Sequence, residues 1–249
     1  MIHNLLNFRI HSPFPNRPTL VFLHDSLGCV ELWRDFPEQL AAATQCNYLV
    51  YDRLGYGKSG PFANPVRDKQ YLEPEAAVLN DLLIQHNIEK AILFGHSDGG
   101  SIALLTAALF PERIQAIITQ GAHVFVEEVT LAGIRAAKEA YSTTDLPQRL
   151  AKYHGVNTDA MVKAWTETWL APTFRDWDIT DFLPQITCPA LIIQGKDDEF
   201  GTPKQVETIV TRCSGPAQAW LIPRVQHNPH KEVPKEVIER VFSFITTLP

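Results

Sequence analysis

Short, continuously apolar runs rich in β-branched residues alternate with helix-length amphipathic stretches, and this rhythm constrains the fold more than any other feature of the chain. The runs are Thr19 to Leu23, Tyr48 to Tyr51, Ala91 to Phe94, Ile114 to Thr119, Ala190 to Gln194 and Ala217 to Ile222. Strands buried on both faces read this way. Helical patterns lie between them, over Trp33 to Ala43, Pro74 to His86, Ser97 to Leu109, Pro203 to Cys213 and Pro234 to Thr246. Pro203 and Pro234 stand near helix starts, where a missing N–H costs nothing. The alternation predicts an α/β protein with a mostly parallel central sheet flanked by helices.

The rhythm stops between about Val124 and Leu183. Ile134, Ala137, Lys138 and Tyr141 form one helical face there, and Met161, Ala164, Trp165, Thr168 and Trp169 form another. A helical insertion between two sheet strands predicts a cap over the sheet's edge, within one domain spanning residues 1–249. Trp165 and Trp169 are candidates for the wall of a substrate pocket, although aromatics at this spacing equally suit the core of a cap.

Composition closes off several classes of function. With 22 Lys and Arg against 28 Asp and Glu, the net charge is −6, which gives nucleic acid no basic face to bind. No 18 apolar residues run together, so no membrane span is expected. The opening MIHNLLNFRIHSPFPNRP lacks a basic n-region and a cleavage site, so the expected location is cytoplasmic. Cys29, Cys46, Cys188 and Cys213 show no paired spacing, hence neither a disulfide framework nor a zinc site. No metal or organic cofactor is implied, and oligomeric state is not legible.

The segment Gly95-His96-Ser97-Asp98-Gly99-Gly100 follows one strand and opens a helix. A G-x-S-x-G turn in that setting holds a serine hydroxyl out over the sheet. Serine is a poor nucleophile without a base, and the base needs an orienting acid. In chain order the acid should follow a later strand, where Asp197 and Asp198 stand. The base should lie near the end, where His227 and His230 stand. Loops at the carboxyl ends of parallel strands converge on one edge, which brings these groups together. His24-Asp25-Ser26-Leu27-Gly28 follows the first strand; the Ser26 and Asp98 backbone N–H groups are the candidate oxyanion hole, and Leu27 a candidate substrate contact. Asp52-Arg53-Leu54-Gly55-Tyr56-Gly57-Lys58-Ser59 reads mainly as a structural turn.

The elbow, HDSLG, DRLGYGKS, GKDDEFGTP and HNPH resemble the α/β-hydrolase superfamily over essentially the whole chain. SDGG, DRLGYGKS, QGAHVFV and HNPH are most similar to the valacyclovir-hydrolase (biphenyl-hydrolase-like) group, which hydrolyses α-amino acid esters. The resemblance implies Ser97 as nucleophile, Asp198 as acid and His227 as base, acting on a small-molecule ester through an acyl-enzyme. It also implies that Asp98 recognises a substrate ammonium; from the residues alone, a carboxylate in a first helical turn is equally explained by the helix dipole. Two departures stand out. Asp25 occupies a position often held by Gly, and the first eighteen residues are too short for two full strands. Carbon–carbon bond hydrolysis, thioester hydrolysis, perhydrolysis and a non-catalytic ligand receptor are the competing readings, since fold alone does not choose among them.

Overall fold

The computed structural model describes residues 5–62 and 67–248. A seven-stranded sheet runs in the order β1-β3-β2-β4-β5-β6-β7, with β1 Phe8–His11, β2 Thr19–Leu23, β3 Asn47–Tyr51, β4 Ala91–His96, β5 Ile114–Gln120, β6 Ala190–Gly195 and β7 Ala217–Ile222. All neighbours pair in parallel except β1, which runs antiparallel to β3. The strands expected from the apolar runs are all present. β1 is additional: its four residues, FRIH, lie on an edge and are mostly exposed, so they carry no buried-strand signature.

Strand side chains alternate between two cores. Val21, Leu23, Leu49, Tyr51 and Leu93 face one side, with Leu79 of α2 (Leu72–Gln85), Leu105 of α3 (Asp98–Leu109) and Ile209 of α7 (Pro203–Arg212). Leu20, Phe22, Val50, Phe94 and Ile118 face the other, against Leu40 of α1 (Phe36–Thr44) and Val241 of α9 (Pro234–Ile245). Both faces are therefore covered, which is why every residue of β2, β3, β4 and β6 is buried and most are apolar. Helix α7 starts with Pro203 in its first turn, and Thr202 Oγ1 accepts from Lys204 N at 3.2 Å, an N-cap that satisfies one of the free amides there.

Between β5 and β6 the chain leaves the sheet and forms α4 (Glu128–Thr143), α5 (Leu146–His154) and α6 (Thr158–Leu170). Met161, Ala164, Trp165, Thr168 and Trp169 are all buried, as their spacing anticipates. His154, at the end of α5, latches this segment onto the carboxyl edge of the sheet. Its Nδ1 accepts from Gly57 N at 2.8 Å and its Nε2 donates to Leu27 O at 3.1 Å. The loops after β2 and β3 are thus tied to the helical segment. The short α8 (Pro229–Glu232) completes the helices. Among the described residues no helix is long and apolar enough to cross a membrane.

Candidate active site

Ser97 links the end of β4 to the start of α3 with φ 54° and ψ −120°, a conformation that costs a non-glycine residue free energy and persists only where surrounding structure enforces it. The glycines on either side explain how it is enforced. A Cβ on Gly95 would stand 2.2 Å from the Gly99 carbonyl oxygen, and one on Gly99 would stand 2.1 Å from that of Leu23. Helix α3 therefore approaches β4 and β2 so closely that only hydrogen fits, and Ser97 is held at the turn. Its N–H donates to Gln120 O at 2.8 Å, and the residue is 8% exposed.

His227 lies in the loop after β7, and its Nδ1 donates to both oxygens of Asp198 at 2.9 Å. Asp198 Oδ1 also accepts from the amides of Phe200 at 2.8 Å and Gly201 at 3.3 Å, so the carboxylate is fixed on two sides. Asp197 is exposed, and its backbone N–H bonds Val225 O. His230 is buried but donates from Nδ1 to Gln120 Oε1. Of the two acids and two histidines, Asp198 and His227 are the ones that meet. Burial pulls the His227 pKa down, but the charge and hydrogen bond of Asp198 outweigh it, and the net direction is upward. Burial acts to raise Asp198; His227 and the Phe200 amide outweigh that and leave it lowered. His96, whose Nε2 donates to His227 O at 2.8 Å, is held well below the ordinary histidine range by burial. His227 thus sits among rings that stay neutral: His96, and His123, lowered by burial, with ring centroids 5.0 and 5.9 Å away. The Ser97 hydroxyl makes no hydrogen bond to His227 in this structure; such contacts commonly tighten only when substrate is bound.

Ser26 and Asp98 carry the candidate oxyanion donors. Among the described residues neither backbone N–H donates to another group, as an oxyanion hole requires. The Asp98 side chain is a different matter. It is 2% exposed, with Oδ2 3.5 Å from Arg53 Nη2 and accepting from Tyr71 OH at 3.3 Å. The carboxylate that the resemblance reserves for a substrate ammonium is paired inside the protein. Arg53 comes from the turn after β3 that the sequence presents as structural, and most of that turn is so. Asp52 accepts from Val30 N at 2.6 Å and Lys58 N at 2.8 Å, and Ser59 Oγ donates to Asp52 O. Arg53 is the residue that sequence reasoning passed over; its one local signal is its place two residues after β3, at the carboxyl edge of the sheet.

Leu27 is partly buried against Leu150, Met161 and Val162 of the helical segment. Trp165 lies 6.4 Å from Phe200, which in turn packs 4.8 Å from the His227 ring. Trp169 is more deeply committed: its indole N–H donates to Tyr71 OH at 3.0 Å, and its ring packs on Phe174 and Trp177. Among the described residues no cluster of His, Cys, Asp and Glu could hold a metal ion.

Residues 18–180 match the family model described as the alpha/beta hydrolase fold. The chain is 29% identical over 209 residues to the human serine hydrolase BPHL, covering 79% of this chain and 69% of that one. It is 26% identical over 255 residues to a 2-hydroxy-6-oxononadienedioate/2-hydroxy-6-oxononatrienedioate hydrolase of Cupriavidus pinatubonensis, covering 85% and 86%. Among solved structures, the esterase EaEST of Exiguobacterium antarcticum superposes with a TM-score of 0.76 at 19% identity, over 97% of this chain and 96% of that one, a likeness of fold.

Proposed function

Because the chain belongs to the α/β-hydrolase fold family, we propose that it is a serine hydrolase of small carboxylic esters, working through an acyl-enzyme on Ser97. The observation that carries this reading is the buried His227–Asp198 pair at the same sheet edge as the strained Ser97 turn. Ser97 Oγ attacks the ester carbonyl while His227 Nε2 takes its proton. Asp198 holds the imidazole with Nδ1–H toward it and Nε2 free, and stabilises the imidazolium that forms. The developing oxyanion accepts from the Ser26 and Asp98 amides. His227 then gives its proton to the departing alcohol, and water repeats the sequence on the acyl-enzyme.

Residues 124–183 act in this reading as a cap on a single domain, with Trp165 and Leu27 at the acyl or alcohol group. Likeness to BPHL supports serine hydrolysis; likeness to the dienedioate hydrolase, over more of that protein's length, favours carbon–carbon bond hydrolysis as the second reading. A serine-directed phosphonate should label Ser97, and an activated ester should give a burst of alcohol. Labelling elsewhere, or turnover of a dienedioate and of no ester, would remove the ester reading.

A further inference from the structure

We propose that Arg53 occupies, from within the protein, the place a substrate cation would take at Asp98, so that the site is built for esters uncharged beside the carbonyl. This rests on the ester-hydrolase reading above and narrows its substrate class.

A carboxylate one residue from the nucleophile opposes the negative charge that builds on the carbonyl oxygen, unless a cation stands beside it. That cation can arrive with the substrate or be built in. Arg53 is 0% exposed, its Nη2 is 3.5 Å from Asp98 Oδ2, and its guanidinium lies 4.4 Å over the Tyr56 ring. Burial acts to lower its pKa, but Tyr56, Asp98, Glu75 and Tyr71 more than offset that and raise it. An arginine here is charged at every working pH. A substrate ammonium at Asp98 would compete for the same carboxylate against a fixed cation already on it, and like charges so placed are strongly disfavoured.

The same side chain also grips the second oxyanion donor. Arg53 Nη2 donates to Asp25 O at 3.1 Å, the residue before Ser26. The Arg53 backbone N–H donates to His24 Nε2 at 3.1 Å, and His24 Nδ1 donates in turn to Asp25 O at 2.7 Å. That tautomer requires a neutral ring, and burial holds His24 well below the ordinary range. Arg53 is therefore a positioning residue for both loops that present the hole, and it supplies the counter-charge there. Its Nε and Nη1 have no hydrogen-bond partner among the described residues. A buried arginine kept at that cost points to its charge as what is needed.

The test uses benzyl propanoate and benzyl glycinate, two esters of one shape that differ by a methyl against an ammonium. Each kcat/KM is divided by the ester's hydroxide rate, at one pH where the glycinate is protonated. Wild type should favour the propanoate by about tenfold or more. R53M should move the ratio toward the glycinate by about tenfold or more, because Asp98 then lacks a cation. R53M/D98N should return the ratio to within about threefold of wild type, and D98N alone, which leaves the Arg53 charge unopposed, should move the ratio further toward the propanoate. A wild-type preference for the glycinate overturns the proposal. So does a D98N ratio that moves toward the glycinate, or an equal loss on both esters in R53M that D98N does not relieve. Thermal melts show whether R53M folds; if it does not, the wild-type ratio decides alone. If wild type hydrolyses neither ester and Ser97 takes no phosphonate, the ester-hydrolase reading itself falls, an outcome distinct from an active enzyme with the wrong ratio.

Discussion

Two buried carboxylates flank Ser97, and they differ in what their partners can do with a proton. Asp198 faces His227, whose pKa it raises, and an imidazole can both take up and release a proton. Asp98 faces Arg53, which never gives one up. In the proposed mechanism the loops after β6 and β7 thus form a proton-moving half, and the loops after β2 and β3 a half of fixed charge. Desolvation makes both pairs costly to break, since removing one partner strands the other. In the proposed mechanism, only on the first side does the partner's titration set the rate.

The sharpest break between the halves is made on the proton-moving side. S97A, H227A and the double variant should each lose several powers of ten in kcat on an activated ester, with losses that do not add. Additive losses would mean the two do not work as a unit. D198N should cost about three powers of ten and also change the pH profile. The proposed mechanism requires neutral His227, so kcat/KM should rise with pH through its pKa, which Asp198 holds above the ordinary histidine value. Without that charge burial dominates and the rising limb should move to lower pH; a limb that stays in place would separate Asp198 from the base.

H154A probes the latch between the helical segment and the fixed half. It leaves the Gly57 amide and the Leu27 carbonyl without their partner. Denaturant unfolding should show a loss of about 2–4 kcal/mol, with KM rising more than kcat falls. An equal effect on both would place the latch in the chemistry and not over the entrance. The smallest effect is expected from W169F, which removes the hydrogen bond to Tyr71. A loss of about 1–2 kcal/mol in stability and a few-fold change in rate should follow. A hundredfold fall in kcat would instead put Trp169 against the substrate.

The places of the six parallel strands along the chain, the tight strand-to-helix turn at Ser97 and the helical stretch after β5 were legible in the sequence because each leaves a local mark. Buried strands are continuously apolar, the elbow needs small residues at Gly95 and Gly99 where backbone meets backbone, and the face of α6 repeats with the helical period. β1 left no such mark because an exposed edge strand of four residues buries too little to require apolar ones. Pairings distant in sequence were not legible either. Nothing local separates Asp197 from Asp198, since both follow the same strand; the turn after β6 exposes one and aims the other at His227 across 29 positions. Nothing local says that Arg53 will reach Asp98, because the two meet only once β2 lies between β3 and β4 in the sheet. Local pattern determined what each segment becomes, through side-chain period and backbone sterics. The tertiary structure decided which charges share a buried space, and so what each carboxylate is for, because burial and counter-charge belong to the folded arrangement and to no stretch of the chain alone.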